Sequence, residues 1–100
     1  MYDMNTLKKF KRFDELAPEA FKSFIVFDEA ARKAGAIPHK YKELMAVAIA
    51  LTTQCPYCIQ IHRDYAKKAG ATDEELAEAT LVAAAIRAGG AMTHGTHTLE

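Results

Sequence analysis

Two cysteines and a histidine hold the strongest chemistry in this sequence: Cys55-Pro56-Tyr57-Cys58, with His62 four residues after the second thiol. In a C-x-x-C pair the two sulfurs can close a small disulfide without unfolding the chain around them. If a helix starts at about Pro56, Cys55 takes its N-cap and Cys58 its first turn. Unpaired N–H groups and the positive end of the helix dipole then favour thiolate over thiol. Proline suits that first turn, where no N–H is required. His62 lies at i+4 from Cys58, so the two side chains share a helix face. A thiol with an imidazole beside it is a nucleophile with its base, and histidine exchanges protons near neutral pH. The helix-start effect alone favours Cys55 as the attacking sulfur. The neighbouring histidine shifts that role to Cys58 and leaves Cys55 as the resolving thiol.

The same residue types serve blander purposes. Two nearby cysteines can simply be small buried side chains, or zinc ligands. A structural zinc site takes four ligands; Cys55, Cys58 and His62 supply three, and only His94 or His97 is left for the fourth. The redox reading needs no metal and no organic cofactor. Tyr57 and Gln54, beside the cysteines, are candidate pocket residues. Tyr41, Met45 and Tyr65 are expected to fill core or interface. His39 is expected to be solvated at a helix start, and His94 and His97 to lie in a mobile tail. C-P-Y-C is also similar to the glutaredoxin motif, but that likeness is local. Glutaredoxins need a βαβ frame, and no period-two apolar pattern is present.

The elements that must position these residues read as helices throughout, giving an all-α fold of about five to six helices. Leu7, Phe10 and Phe13 mark a short amphipathic helix over about 5–15. Pro18 and Glu19 open a second helix, with Ala20, Phe24, Phe27, Ala31 and Ala34 on one apolar face and Gly35 as its stop. A third runs from about His39 to Thr53, and its apolar run Leu44 to Leu51 predicts burial on most sides. The fourth runs from the cysteines to Ala69, with Gly70 after it. Thr72 and Glu75 form a capping box for the fifth, which extends to about Ala88. Gly89-Gly90 is expected to break or bend it, leaving 92–98 as a short helix or tail. One domain over 1–100 is expected.

Lysine plus arginine balances aspartate plus glutamate at 13 each, which argues against the basic face of a nucleic-acid binder. The run Lys8-Lys9-Phe10-Lys11-Arg12 reads as a solvated helix face. The longest strongly apolar run, Leu44 to Leu51, is too short to span a bilayer. The N-terminus shows no apolar signal segment, so a cytoplasmic protein with neither nucleic-acid nor membrane partners is expected. In a reducing compartment, cysteines three apart suggest redox exchange, catalysis or metal binding. Half of the residues are hydrophobic. In a chain this short, that predicts apolar surface shared between subunits of a homo-oligomer.

Glu43, then Cys55-x-x-Cys58 twelve residues on, then x-x-x-His62, resembles the alkylhydroperoxidase D-like branch of the carboxymuconolactone decarboxylase family. The likeness extends from about Pro38 to Gly89-Gly90. It implies an all-α trimer or hexamer that reduces hydrogen peroxide or small organic hydroperoxides through its thiols. In that scheme Cys58 attacks the peroxide and becomes a sulfenic acid, and Cys55 condenses with it to a disulfide. Glu43 and His62 relay protons. A dithiol such as a lipoyl group or a thioredoxin-like protein restores the thiols. The best-known alkylhydroperoxidase D is longer and has a histidine where this chain has Tyr57. The true γ-carboxymuconolactone decarboxylases lack the paired cysteines. Lyase action on a lactone acid, or a non-enzymatic helical oligomer with structural or zinc-binding cysteines, are the alternatives. By spacing alone Glu43, just before a buried apolar run, stands either at the helix mouth, where it serves the helix dipole, or in a polar pocket. Twelve residues of helix span about 18 Å, so bringing Glu43 to the cysteines calls for a steep helix crossing or a neighbouring subunit.

Overall fold

The computed structural model describes residues 3–100, and every regular element in it is helical. A 3-10 turn, Met4–Lys9, leads into α1 (Phe10–Leu16), so the first predicted helix is split in two. Then follow α2 (Pro18–Arg32), α3 (His39–Thr53), α4 (Pro56–Lys68) and α5 (Asp73–Gly95), and a 3-10 turn at Thr96–Thr98 closes the chain. Among the described residues no helix is long and apolar enough to cross a membrane.

The helix ends follow from residue chemistry. Pro18 and Glu19 begin α2, and Arg32 ends it, where Lys33 turns extended. The carbonyls left open there are met from the start of α3. Lys42 Nζ donates to the carbonyls of Ala31 at 3.1 Å and Lys33 at 2.6 Å. His39 Nδ1 lies 2.7 Å from the carbonyl of Arg32. His39 is therefore half-buried rather than solvated, because it closes the exposed end of the preceding helix. Thr72 and Glu75 form the complete reciprocal capping box at the start of α5.

The buried core is thin. Leu44, Ala66 and Ala71 form its centre, with Leu76 and Ala79 packed against them. Val47, Ala50 and Ala83 are also buried. The helix α3 carries most of this core and packs against both α4 and α5. Alanines on α4 and α5 let the backbones approach closely. By contrast, α2 buries no residue, and Phe24 and Phe27 on its apolar face are largely exposed. Tyr41, Met45 and Tyr65 are exposed too, so they do not belong to the core of one chain. Only part of the Leu44–Leu51 run is covered, since Ile49 faces outward. The radius of gyration is 16.7 Å, against about 13 Å for a globular chain of this length. The segment α1–α2 forms an arm that meets the body mainly through α3.

The expected break at Gly89-Gly90 does not occur, and α5 runs through both glycines to Gly95. Neither takes a positive φ, unlike Gly70 at φ 95°. Stopping at Ala88 leaves its last carbonyls unmet, so the alanine-rich helix propagates past the pair. A Cβ added at Gly89 or Gly90 meets nothing within 4 Å. The double substitution Gly89→Ala/Gly90→Ala is therefore expected to stabilise the fold by about 1–2 kcal/mol. Chemical unfolding at fixed protein concentration checks this, and a lowered midpoint would show that these glycines serve close packing instead.

Candidate active site

The turn between α3 and α4 places the two thiols. Gln54 ends α3 in the left-handed region, at φ 57° and ψ 42°. That reversal lets the Cys55 N–H donate to the carbonyl of Ala50 at 3.1 Å. Arg87 Nη1 on α5 donates to the neighbouring carbonyl of Thr52 at 3.1 Å. Cys55 then becomes the N-cap of α4, and its sulfur accepts from the Cys58 N–H at 3.3 Å. The two Sγ atoms are free thiols 2.7 Å apart. A disulfide bond measures about 2.05 Å, so closure needs only a small side-chain movement.

The thiols are electrostatically unequal. The hydrogen bond with the Cys58 side chain, joined by the backbone N–H of Cys58, holds Cys55 below the ordinary thiol range. The same interaction, with burial and the Cys55 charge behind it, pushes Cys58 up to about 11. Cys55 is thus the more acidic thiol of the pair, the direction that the helix-start effect predicts. Cys58 keeps its proton and needs a base to become a nucleophile.

An imidazole shares the cavity with this thiol. Cys58 and His62 line one cavity of about 260 Å³, together with Asp28, Arg32 and the apolar wall of Ala46, Ile49 and Ala50. His62 Nδ1 lies 3.0 Å from Glu43 Oε2 and donates to it, an assignment made from the carboxylate partner. The tautomer leaves Nε2 able to take a proton. Glu43 is completely buried, and its other oxygen accepts from Arg32 Nη1 at 2.9 Å. Arg32 also holds Asp28 Oδ2 through Nη2 at 2.8 Å and Nε at 3.3 Å. Its guanidinium carbon lies 5.1 Å from the centre of the Tyr65 ring. The first of these ion pairs, with Asp28, and then the bond to Glu43 raise Arg32 further above its already high range.

The link from Glu43 to His62 therefore forms within one chain, with no neighbouring subunit. This chain of bonds ends on His62, one turn past Cys58 on the returning helix, and this shortens the path that Glu43 has to cover. Neither Gln54 nor Tyr57 lines this cavity. Gln54 is exposed and makes the turn instead of lining the cavity. Tyr57 precedes Cys58 by one position, about 100° around the helix, and its hydroxyl lies 3.4 Å from the Asp3 N–H. Arg32 and Asp28 were not singled out by the sequence. Their only signal is an i,i+4 ion pair next to the apolar stripe of α2. His94 and His97 sit at the far end of α5 with ring centres 5.6 Å apart. Among the described residues, no three or more His, Cys, Asp or Glu side chains converge as a possible metal cage.

An all-helical subunit with a paired-cysteine turn facing a buried Glu–His couple defines the class. Known proteins share the fold: a sequence profile of the carboxymuconolactone decarboxylase family matches residues 18–100. The chain belongs to that family. It is 42% identical over 77 residues to uncharacterized protein 4 in the cox locus of Paracoccus denitrificans, covering 77% of this chain and 69% of that one. An uncharacterized protein of Cupriavidus necator is 35% identical over 71 residues, covering 71% of this chain and 63% of its own length. Among solved structures, a protein from Methanobacterium thermoautotrophicum aligns with a TM-score of 0.81 at 41% identity, over 88% of this chain and 99% of that one. An apo carboxymuconolactone decarboxylase family protein from Legionella pneumophila aligns with a TM-score of 0.78 at 36% identity, over 82% and 73% of the two chains.

Two consequences can be measured. Replacing Arg32 by Met leaves Glu43 buried with one partner lost, and is expected to cost about 3 kcal/mol. Adding Glu43→Gln should recover part of that loss. Urea unfolding of the single and double variants tests this, and a change below about 1 kcal/mol would place the pair with ordinary surface ion pairs. Separately, thiolate absorbance followed against pH should show an early step from Cys55 and a late one from Cys58. Cys58→Ser is expected to keep the early step, because the backbone N–H at position 58 still reaches the Cys55 sulfur, and loss of that step would assign it to Cys58.

Proposed function

We propose that this protein is a thiol-dependent hydroperoxide reductase of the alkylhydroperoxidase D-like kind. One observation carries this reading: the Arg32–Glu43–His62 chain ends in the cavity lined by Cys58, and a second sulfur stands 2.7 Å away. His62 takes the Cys58 proton, and Glu43 stabilises the imidazolium that forms. The Cys58 sulfur attacks the terminal oxygen of the hydroperoxide. The O–O bond breaks, the alkoxide leaves and is protonated to the alcohol, and Cys58 becomes a sulfenic acid. The Cys55 thiolate then attacks the Cys58 sulfur. The S–S bond forms, the S–O bond breaks, and hydroxide leaves as water. Two thiols and one hydroperoxide give one disulfide, one alcohol and one water. With hydrogen peroxide the alcohol is a second water.

The unequal thiols suit this sequence. The base acts on Cys58, which needs it, and Cys55 is the more readily ionised thiol for the resolving step. An outside dithiol, lipoyl or thioredoxin-like, reduces the disulfide by exchange. Assembly as a homo-oligomer, a trimer or hexamer, would cover apolar side chains such as Phe24, Phe27, Ile86 and Met92, which one chain leaves exposed. Lyase action on a lactone acid is supported less well. It wants a cation free to hold carboxylate, and Arg32 already holds two.

One equivalent of hydroperoxide added to the reduced protein should remove both free thiols and lower the intact mass by about two units, the two hydrogens lost on disulfide formation. Cys55→Ser should stop at a Cys58 sulfenic acid that a carbon nucleophile traps, and Cys58→Ser should not turn over. Two thiols left intact by peroxide would overturn the proposal.

A further inference from the structure

We infer that the Cys58 pocket is a charge filter that admits neutral oxidants and excludes anionic ones, with Asp28 as the residue that sets the selection. For the substrate this rests on the peroxide-reductase reading and narrows it to uncharged alkyl hydroperoxides. The filter itself rests on the pocket alone.

The charges that line the cavity are Asp28 and Arg32, with Glu43 directly behind Arg32 and His62. Every nitrogen of the Arg32 guanidinium is already engaged. Nη1 serves Glu43, while Nη2 and Nε serve Asp28. One face of the group lies over Tyr65. Two carboxylates therefore stand against one guanidinium. Asp28, Glu43 and Arg32 together carry one negative charge in excess, and no unpaired Lys or Arg lines the pocket to receive an anion. The two carboxylates differ in position. Glu43 is wholly enclosed, whereas the Asp28 side chain is 40% exposed. Asp28 is thus the negative group that an incoming molecule meets. Its charge reaches the sulfur too, since it contributes to the raised Cys58 thiol. The rest of the wall, Ala46, Ile49, Ala50 and Thr53, offers contacts to an alkyl group and no charged side chain. A hydroperoxide bearing a carboxylate enters against this field, and its methyl ester does not.

Two alkylating reagents of matched shape and opposite character measure the filter without any turnover. In a Cys55→Ser protein, Cys58 is the single thiol, and its alkylation rates by neutral iodoacetamide and anionic iodoacetate are compared. Both reagents attack the same thiolate, so the thiolate fraction cancels in the ratio. Relative to free cysteine, Cys58 is expected to prefer iodoacetamide on the order of fivefold more strongly. High salt should shrink that preference, because a partly exposed charge is screened. Asp28→Asn in the same background should bring it close to the free-cysteine value. A ratio equal to that of free cysteine, or one that Asp28→Asn and salt both leave unchanged, overturns the filter. The salt series on the parent protein decides the matter even if Asp28→Asn does not fold.

The wild-type dithiol protein then tests the substrate class. A short carboxyalkyl hydroperoxide is expected to oxidise it several-fold more slowly than its methyl ester. If neither oxidises it while the alkylation ratio holds, the peroxidase reading fails and the filter stands. If both oxidise it at one rate and the alkylation ratio matches free cysteine, the filter fails and the peroxidase reading stands.

Discussion

The structure turns on one buried carboxylate. Glu43 has no exposed surface, and a carboxylate in that position is tolerated only when its oxygens are bonded. One oxygen is met from α2 by Arg32 and the other from α4 by His62, while Glu43 itself belongs to α3. A single side chain thus binds three helices at one point. The arm α1–α2 contributes little packing to the body, so Arg32 gives it a fixed attachment there. The caps on the end of α2 from His39 and Lys42 support the same joint. Orientation of His62 follows from this attachment. The imidazole is held by a carboxylate that cannot swing away without losing both of its partners.

The thiols depend on a different constraint, the tightness of the turn. Only Gln54 and Cys55 separate α3 from α4, and the left-handed backbone of Gln54 is uncommon for a side chain with a Cβ. That conformation sends the chain back at once, so Cys55 caps α4 with its sulfur. Pro56 gives up no needed donor at the first helical position. A looser loop would separate the sulfurs and remove the Cys58 N–H from Cys55. The low Cys55 thiol and the high Cys58 thiol are therefore two results of one turn. The polarity of the pair comes first from the hydrogen bond between the two sulfurs that this turn enforces, with the Cys58 N–H holding Cys55 down and burial and Asp28 adding to the rise at Cys58.

Much of this was legible in the residues, because it is local. Pro18, Pro56, Gly70 and the Thr72–Glu75 box mark helix ends through chemistry that acts over a few positions. The cysteine spacing and the i+4 histidine fix a shared helix face in the same way. What was hidden depends on how helices cross. Glu43 looks like a dipole partner in sequence, and only the return of α4 brings His62 to it. Arg32 belongs to a helix whose end is set by caps from the next element, so its reach into the site has no local signature. Gly89-Gly90 misled for the opposite reason. A local rule pointed to a break, but a glycine costs a helix only about 1 kcal/mol. The alanine-rich flanks of α5 carry it past both residues.

The division of labour between core and site also explains the residue choice in α3. One face of this helix supplies Leu44, Val47 and Ala50 to a core made mostly of alanine. The neighbouring face supplies Glu43, and Ala46, Ile49 and Ala50 line the cavity. Small residues in the core bring α4 close enough for a short glutamate side chain to reach its histidine. Larger core residues would push the helices apart, and the distance between Glu43 and His62 would grow before overall stability fell. The thin core thus serves the site: close packing of alanines sets the hydrogen-bond distance on which the proton path depends. The apolar area that such a core leaves uncovered on α2 and α5 is the same area that the proposed assembly would bury.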